Sequence, residues 1–467
     1  MAKYYDELLK LCGFTDRDIT QEGLRIEKAF QKLELGPEDM MNAEAWVRQH
    51  HDIELLGVRR ILGLWIKELV DLVLCRDEGK KVVYYGFPTI AGPGMAIKVA
   101  APEHVYCSCP DAVLCHSLGQ IFNKLDPVLE AGEQNGLPPG HGLCTLQTIR
   151  VGGMAKGIIP VPDMVIMSSY YCDMGSKTDE LLRERYGQPA IVVDGSMDSR
   201  WGEFPDYRPE RVKFLGAELN KFIDKTREIL GLDLTPDIWE KAMAFNKAVR
   251  VRVRELTDLM KADPQPVSIA ASELATLLIT ASTGRSVTEG PEVIATLSKE
   301  VRERVRAGIG VLAKGSPRVM TFLTSFTDPS IARMIENAGL AMPVMFNSAT
   351  LRMRPLESTY TTIGEKRAEV QLEVGMFHSS YGLAKRWAEV VEDFKLDGSI
   401  WGYQFNCRPS AETSHLIPKF VTETTGVPCL SLEVDYYDNR IYSAEALKTR
   451  VETFAEMLKS RKAEGAA

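Results

Sequence analysis

The chain has 467 residues, enough for about three domains at roughly 150 residues each. Its 45% apolar and 26% charged content is that of an ordinary globular protein, and a net charge of −8 with no basic stripe argues against nucleic acid as a partner. The first residues, MAKYYDELLK, lack the apolar core of a signal peptide, so a cytoplasmic protein whose nine cysteines are reduced thiols or ligands is expected.

Residues 1–80 read as helical, with apolar residues at three- and four-residue intervals. The most apolar stretch, IELLGVRRILGLWIKELVDLVL (53–74), is interrupted by Arg59, Arg60, Lys67, Glu68 and Asp71, which predicts an amphipathic helix and no membrane span. From residue 81 strands and helices alternate. KKVVYYGF (80–87), HVYCS (104–108), DMVIMSS (163–169) and QPAIVVD (188–194) read as strands, AGPGM (91–95) as a turn, and residues 111–136 as one helix ending at a glycine. The Gly/Pro loop GLPPGHGL (136–143) leads to Cys144 and a short helix. Residues 206–315 show only amphipathic helices and read as an insertion. The alternation then resumes with SPRVMTFLTS (316–325), AMPVMFNS (341–348), GSIWGYQF (398–405) and PCLSLEVD (428–435), separated by helices near 328–339 and 380–394 and from Pro409, with a last helix from Ser443. The expected fold is α/β: a helical amino-terminal region (1–80), a first lobe (81–205), a helical insertion (206–315) and a second lobe (316–467), both lobes Rossmann-like with mostly parallel sheets.

Three cysteines share one setting. Cys144 follows a loop and precedes a helix; Cys172 and Cys407 each follow an apolar strand and precede a helix. Free amides and the dipole at a helix amino end stabilise a thiolate or an anionic metal–sulfur cluster. Spacings of 28 and 235 residues exclude a compact ferredoxin run, so any such site is assembled in space. Against this stands the ordinary reading of a cysteine as a small buried hydrophobe, which is taken for Cys12, Cys75 and Cys429. A denser group, CSCPDAVLCH (107–116), brings Cys107, Cys109, Cys115 and His116 together, but its spacing is an imperfect match to zinc sites.

The chain has neither GxGxxG nor GxxxxGK[ST] and is not expected to hydrolyse ATP; HExxH and GxSxG are also missing, and His141, His378 and His415 read as structural or exposed.

The segment IPVPDMVIMSSYYCDMGSKTDELL and the carboxyl-terminal FNCRPSAETSHLIPKFVTETTGVPCLSLEVDYYDNRIYSAEALKTRVETFAEML resemble the 2-hydroxyacyl-CoA dehydratase and benzoyl-CoA reductase family, over roughly residues 80–460. The resemblance implies an iron–sulfur subunit with a 4Fe-4S cluster between two lobes, held by Cys144, Cys172 and Cys407. It further implies a homologous second subunit, a separate ATP-hydrolysing iron–sulfur activator and an acyl-CoA substrate. Three thiolates would leave one iron open, and a low-potential electron delivered to the thioester carbonyl would give a ketyl radical that activates the β-position. That chemistry serves both dehydration of a 2-hydroxyacyl-CoA and reduction of an aromatic acyl-CoA. Two departures from the family pattern, the long helical amino-terminal part and the CSCPDAVLC cysteines, keep open a reductase with a double-cubane 8Fe-9S cluster on Cys107, Cys109, Cys115, Cys144, Cys172 and Cys407. A separate alternative is a non-catalytic electron-transfer or scaffold subunit whose partner holds the substrate.

Overall fold

In a computed structural model the structure describes residues 3–86, 91–140, 142, 144–169, 172, 174–195, 199–281, 284–322, 327–345, 358–374 and 378–465. His141, Phe87 and the last residues of the segments read as strands at 316–325 and 341–348 lie outside these.

The amino-terminal region is four helices, α1 (Asp6–Leu11), α2 (Asp16–Lys32), α3 (Pro37–His50) and α4 (Leu56–Leu74). Thr15 caps α2 in a box closed by Asp18, satisfying amides that the first turn leaves free. The first lobe follows: β1 (Lys81–Tyr85), α5 (Ala91–Ala100), β2 (Val105–Ser108), α6 (Pro110–Leu114), α7 (Asp126–Gln134), α8 (Thr145–Ala155), β3 (Met164–Ser168), α9 (Met174–Tyr186) and β4 (Ala190–Val193). Then come α10 (Pro209–Leu230), α11 (Pro236–Leu259), α12 (Ile269–Ala281), α13 (Arg285–Thr288) and α14 (Gly290–Ala307). The second lobe contains β5 (Arg318–Phe322), α15 (Ser330–Asn337), β6 (Ala341–Met345), α16 (Ile363–Leu372), α17 (Ser380–Asp393), β7 (Gly398–Tyr403), α18 (Arg408–Glu412), α19 (Leu416–Thr425), β8 (Cys429–Glu433) and α20 (Ala444–Gly465).

Among the described residues the strands form two parallel four-stranded sheets, ordered β2-β1-β3-β4 and β6-β5-β7-β8. The two orders are the same order repeated, so each lobe reverses direction once, between β1 and β3 and between β5 and β7. In such sheets the crevice at the carboxyl ends of the strands beside the reversal is where ligands bind. β1, β2, β3, β5 and β6 are almost wholly buried, as parallel strands covered by helices on both faces must be. In the second lobe Phe322 stacks on Trp401 at 4.2 Å between ring centres, with Trp387 at 4.8 Å from Trp401.

The helix expected at 53–74 forms as α4, and three other expectations are corrected. Helices α12–α14 pack over α4, and its charges are met there: Lys67 by Glu289, Arg60 by Glu292, Asp71 by Arg285, and the buried Glu68 by the Ser286 amide at 2.6 Å. Close approach needs glycine: a Cβ on Gly57 would lie 2.4 Å from the Leu297 Cα. AGPGM is no turn but the first turn and a half of α5. The single helix expected at 111–136 is two, because α6 widens into a π-helical turn over Cys115–Gly119 and the chain breaks before α7. Within that turn His116 packs against Trp65, with ring centres 4.7 Å apart. Finally, α16 was not anticipated; it packs along α10, where a Cβ on Gly364 would lie 2.2 Å from the Gly216 carbonyl oxygen.

No helix among the described residues is long and apolar enough to cross a membrane.

Candidate functional site

The three singled-out cysteines stand at helix amino ends on the crevice side of the two sheets. Cys144 is the residue before α8, Cys172 lies between the carboxyl end of β3 and α9, and Cys407 follows β7 and precedes α18. All three are half-buried, whereas Cys12, Cys75, Cys107, Cys109 and Cys115 are buried; Cys429 is half-buried on β8.

Charge interactions show that the three thiols share a neighbourhood. Burial pushes the Cys144 thiol well up, and the nearby Cys407, Asp435 and Cys172 add to the rise. Cys407 is also raised by burial, while the Ser410 hydroxyl and amide pull it back. Among the described residues no three His, Cys, Asp or Glu side chains are close enough to bind one metal ion.

Asp435 ties the lobes together beside these thiols. Its Oδ2 accepts from the Thr145 hydroxyl at 2.6 Å and from Gln404 Nε2 at 2.8 Å, while its Oδ1 accepts from the Tyr437 and Asp438 amides at 2.9 and 3.1 Å. Thr145 opens α8 in the first lobe; Gln404 directly follows β7 in the second. Burial raises the Asp435 carboxyl to about 6. Tyr437, also buried, is raised by burial and then by Cys144, Cys115 and Cys407. A cavity of about 410 Å³ opens next to Cys407, lined among others by Gly142, Gln404, Phe405, Asp435, Ile441 and Tyr442. Phe405 is 79% and Ile441 62% exposed, so its mouth is apolar.

Cys107 and Cys109 sit in the first-lobe core. Near Cys109 a buried charge network joins α6, α8 and α9: Arg150 donates to both oxygens of Asp111 at 2.6 and 2.7 Å, to Asp179, and to the Tyr85 carbonyl at 3.1 Å. His378 is fully buried, with Nε2 at 2.9 Å from the Asp206 carbonyl, and His415 is exposed at the start of α19.

Sequence reasoning missed Asp435, Arg150 and Glu273. Glu273, on α12, is 6% exposed, its Oε1 has no hydrogen-bond partner, and burial alone raises it to about 8. It lines a cavity of about 10 Å³ with Thr321 at the carboxyl end of β5 and with Asp328. Only Asp435 left a local signal, an acid at the end of the apolar run CLSLEV.

The profile of the 2-hydroxyglutaryl-CoA dehydratase, D-component family matches residues 102–458, a span that holds all three cysteines. The chain is 22% identical over 311 residues to the (R)-2-hydroxyglutaryl-CoA dehydratase subunit alpha of Acidaminococcus fermentans, an alignment covering 65% of this chain and 61% of that one. It is 20% identical over 389 residues to the (R)-phenyllactyl-CoA dehydratase alpha subunit of Clostridium sporogenes, covering 83% and 92%. With the (R)-2-hydroxyisocaproyl-CoA dehydratase alpha subunit of Clostridioides difficile it shares 19% over 324 residues, covering 67% and 75%. The chain belongs to the 2-hydroxyglutaryl-CoA dehydratase, D-component family.

Proposed function

We propose that this chain is the cluster-bearing subunit of a 2-hydroxyacyl-CoA dehydratase and that Cys144, Cys172 and Cys407 hold a 4Fe-4S cluster between its lobes. The observation that carries the reading is the convergence of three half-buried thiols, each at the start of a helix, on one neighbourhood in a chain of this family. The donor set fits the group, since thiolates at helix amino ends are its usual protein ligands. Amides at the Leu146 and Ser410 positions already favour negative charge on Cys144 and Cys407.

When bound, the cluster supplies a low-potential electron and an open iron that polarises an acyl oxygen. The chain's own residues do the positioning. Asp435, Thr145 and Gln404 hold the lobes in one register across the site. Phe405 and Ile441 present apolar surface to an acyl chain and limit water at the cavity mouth. Tyr442 lines the same cavity, and its hydroxyl is held by the hydrogen bond it donates to Asp328 Oδ2 at 3.1 Å. The curated relatives carry the name alpha subunit, which supports a homologous second subunit. An ATP-hydrolysing activator completes the proposed system.

The test is iron and sulfide content after anaerobic purification. Cys172→Ser and Cys407→Ser are each expected to lose the cluster while keeping the wild-type circular dichroism, because each sheet carries its own apolar core. Full iron in either variant would sink the assignment.

A second reading, an 8Fe-9S double cubane, is favoured by one observation: Cys115 acts on Tyr437 together with Cys144 and Cys407. Replacing Cys107, Cys109 and Cys115 together by Ala is expected to leave iron unchanged, since all three are enclosed by core side chains. Loss of about half the iron, as expected for two equal cubanes, would instead establish the larger cluster.

A further inference from the structure

Away from the thiols, three arginines gather at the amino end of α5. Arg250 and Arg254 lie four residues apart on α11 and so share a face, and α11 packs on α5. Arg367 of α16 lays its guanidinium against Gly92 in the first turn of α5: a Cβ there would meet its Nε at 2.9 Å and its Nη2 at 3.0 Å. Arg250, whose Nε is buried, is pushed down to about 10 by burial and by the Arg367 and Arg254 charges. Guanidiniums crowded in this way concentrate positive potential, and Arg367 lies at the amino end of α5, the positive pole of a ten-residue helix.

The location gives this potential a use. Helix α5 leaves β1 at the reversal of the first sheet, and the neighbouring strand across that reversal, β3, leads to Cys172. The amino end of α5, where Arg367 lies, therefore stands at the same end of the first sheet as the turn that carries Cys172. We propose that Arg250, Arg254 and Arg367, with the amino end of α5, form an oxyanion site for the acyl-CoA substrate, taking either the coenzyme's phosphates or a second carboxylate on the acyl chain. This rests on the acyl-CoA reading above. A planar guanidinium pairs with either oxyanion through two parallel hydrogen bonds, so the chemistry is shared and the two sources are separated by experiment.

The experiment is calorimetric titration of the anaerobically purified protein with adenosine 3′,5′-bisphosphate and with glutarate, comparing wild type with Arg250→Gln/Arg367→Gln. At least one probe is expected to bind wild type and to weaken at least about tenfold in the variant, since hydrogen bonds to charged groups contribute roughly 1.5–3 kcal/mol. A loss confined to the bisphosphate assigns the coenzyme phosphates; a loss confined to glutarate assigns an acyl carboxylate. Arg250→Lys/Arg367→Lys, which keeps the charge but not the fork, is expected to fall between the two, and it carries the test should the Gln pair fail to fold. Failure of both probes to bind wild type, or equal affinity in wild type and variants, overturns the site. The parent reading fails separately: probe binding that depends on these arginines, in a protein that dehydrates no 2-hydroxyacyl-CoA, upholds the oxyanion site and removes the dehydratase. Dehydration with an unchanged KM in the variants removes the site alone.

Discussion

Replacing Arg150 with Met is expected to destabilise the chain by about 3–5 kcal/mol, the usual result of removing one partner from a buried ion network. Arg150, Asp111 and Asp179 are each no more than 1% exposed. One guanidinium serves two carboxylates, and burial raises both acids, Asp179 to about 6. Without Arg150 two carboxyls remain in the core with no countercharge, and either both take up protons or water enters. The consequence reaches the proposed cluster, because Arg150 lies on the helix that Cys144 caps and Asp179 on the helix that follows Cys172. Chemical denaturation should show the loss, and iron content should fall with it. Adding Asp111→Asn and Asp179→Asn to Arg150→Met should recover most of the stability, since the cost comes from the unpaired charges. A single Arg150→Met variant as stable as wild type would show that the network contributes nothing.

Glu273→Gln is expected to flatten the dependence of stability on pH. The Glu273 carboxyl is held at about 8 in the folded chain against an ordinary 4.5. A raised folded value means that its stabilising contribution is complete below pH 4.5 and is lost as pH rises towards 8, because the unfolded chain gives up the proton first. Across that window the wild type should lose about 3–4 kcal/mol that the Gln variant does not, because each pH unit between the two values is worth about 1.36 kcal/mol. Denaturation midpoints at pH 5 and pH 8, taken for both proteins, give the difference directly. Parallel pH profiles would mean that the side chain is ionised and solvated. A lone acid kept beside the carboxyl end of β5 at such a cost is the kind of group retained for reasons other than stability.

The periodicities in the chain were enough to locate every strand found among the described residues. Parallel strands buried on both faces are short, continuous apolar runs, and VVYY, VIMS and VMTF need no partner to be read as such. The same local rule placed Cys172 and Cys407 at strand-to-helix junctions, because the end of a strand and the start of a helix are both written in adjacent residues. Residues around α16 and the break after α6 were not legible. EKRAEVQLEV carries charge on most of its turns and becomes helical by packing on α10, while the turn at Cys115–Gly119 is widened within a wholly buried setting.

The succession of strands, the two repeated α/β halves and the candidate ligands on their connecting turns are properties of neighbouring residues, and the amino-acid order alone was enough to read them. Which charges meet was settled by folding. Asp435 reaches Thr145 across 290 positions of sequence, Arg285 reaches Asp71 across 214, and Arg367 lies against Gly92. No local pattern marks such pairs, because an aspartate destined for a buried clamp and one destined for solvent look alike until the chain has folded. Backbone propensity and hydrophobic period act over a few residues, whereas the pairing of a buried charge is fixed by whatever the packed core brings within about 3 Å of it.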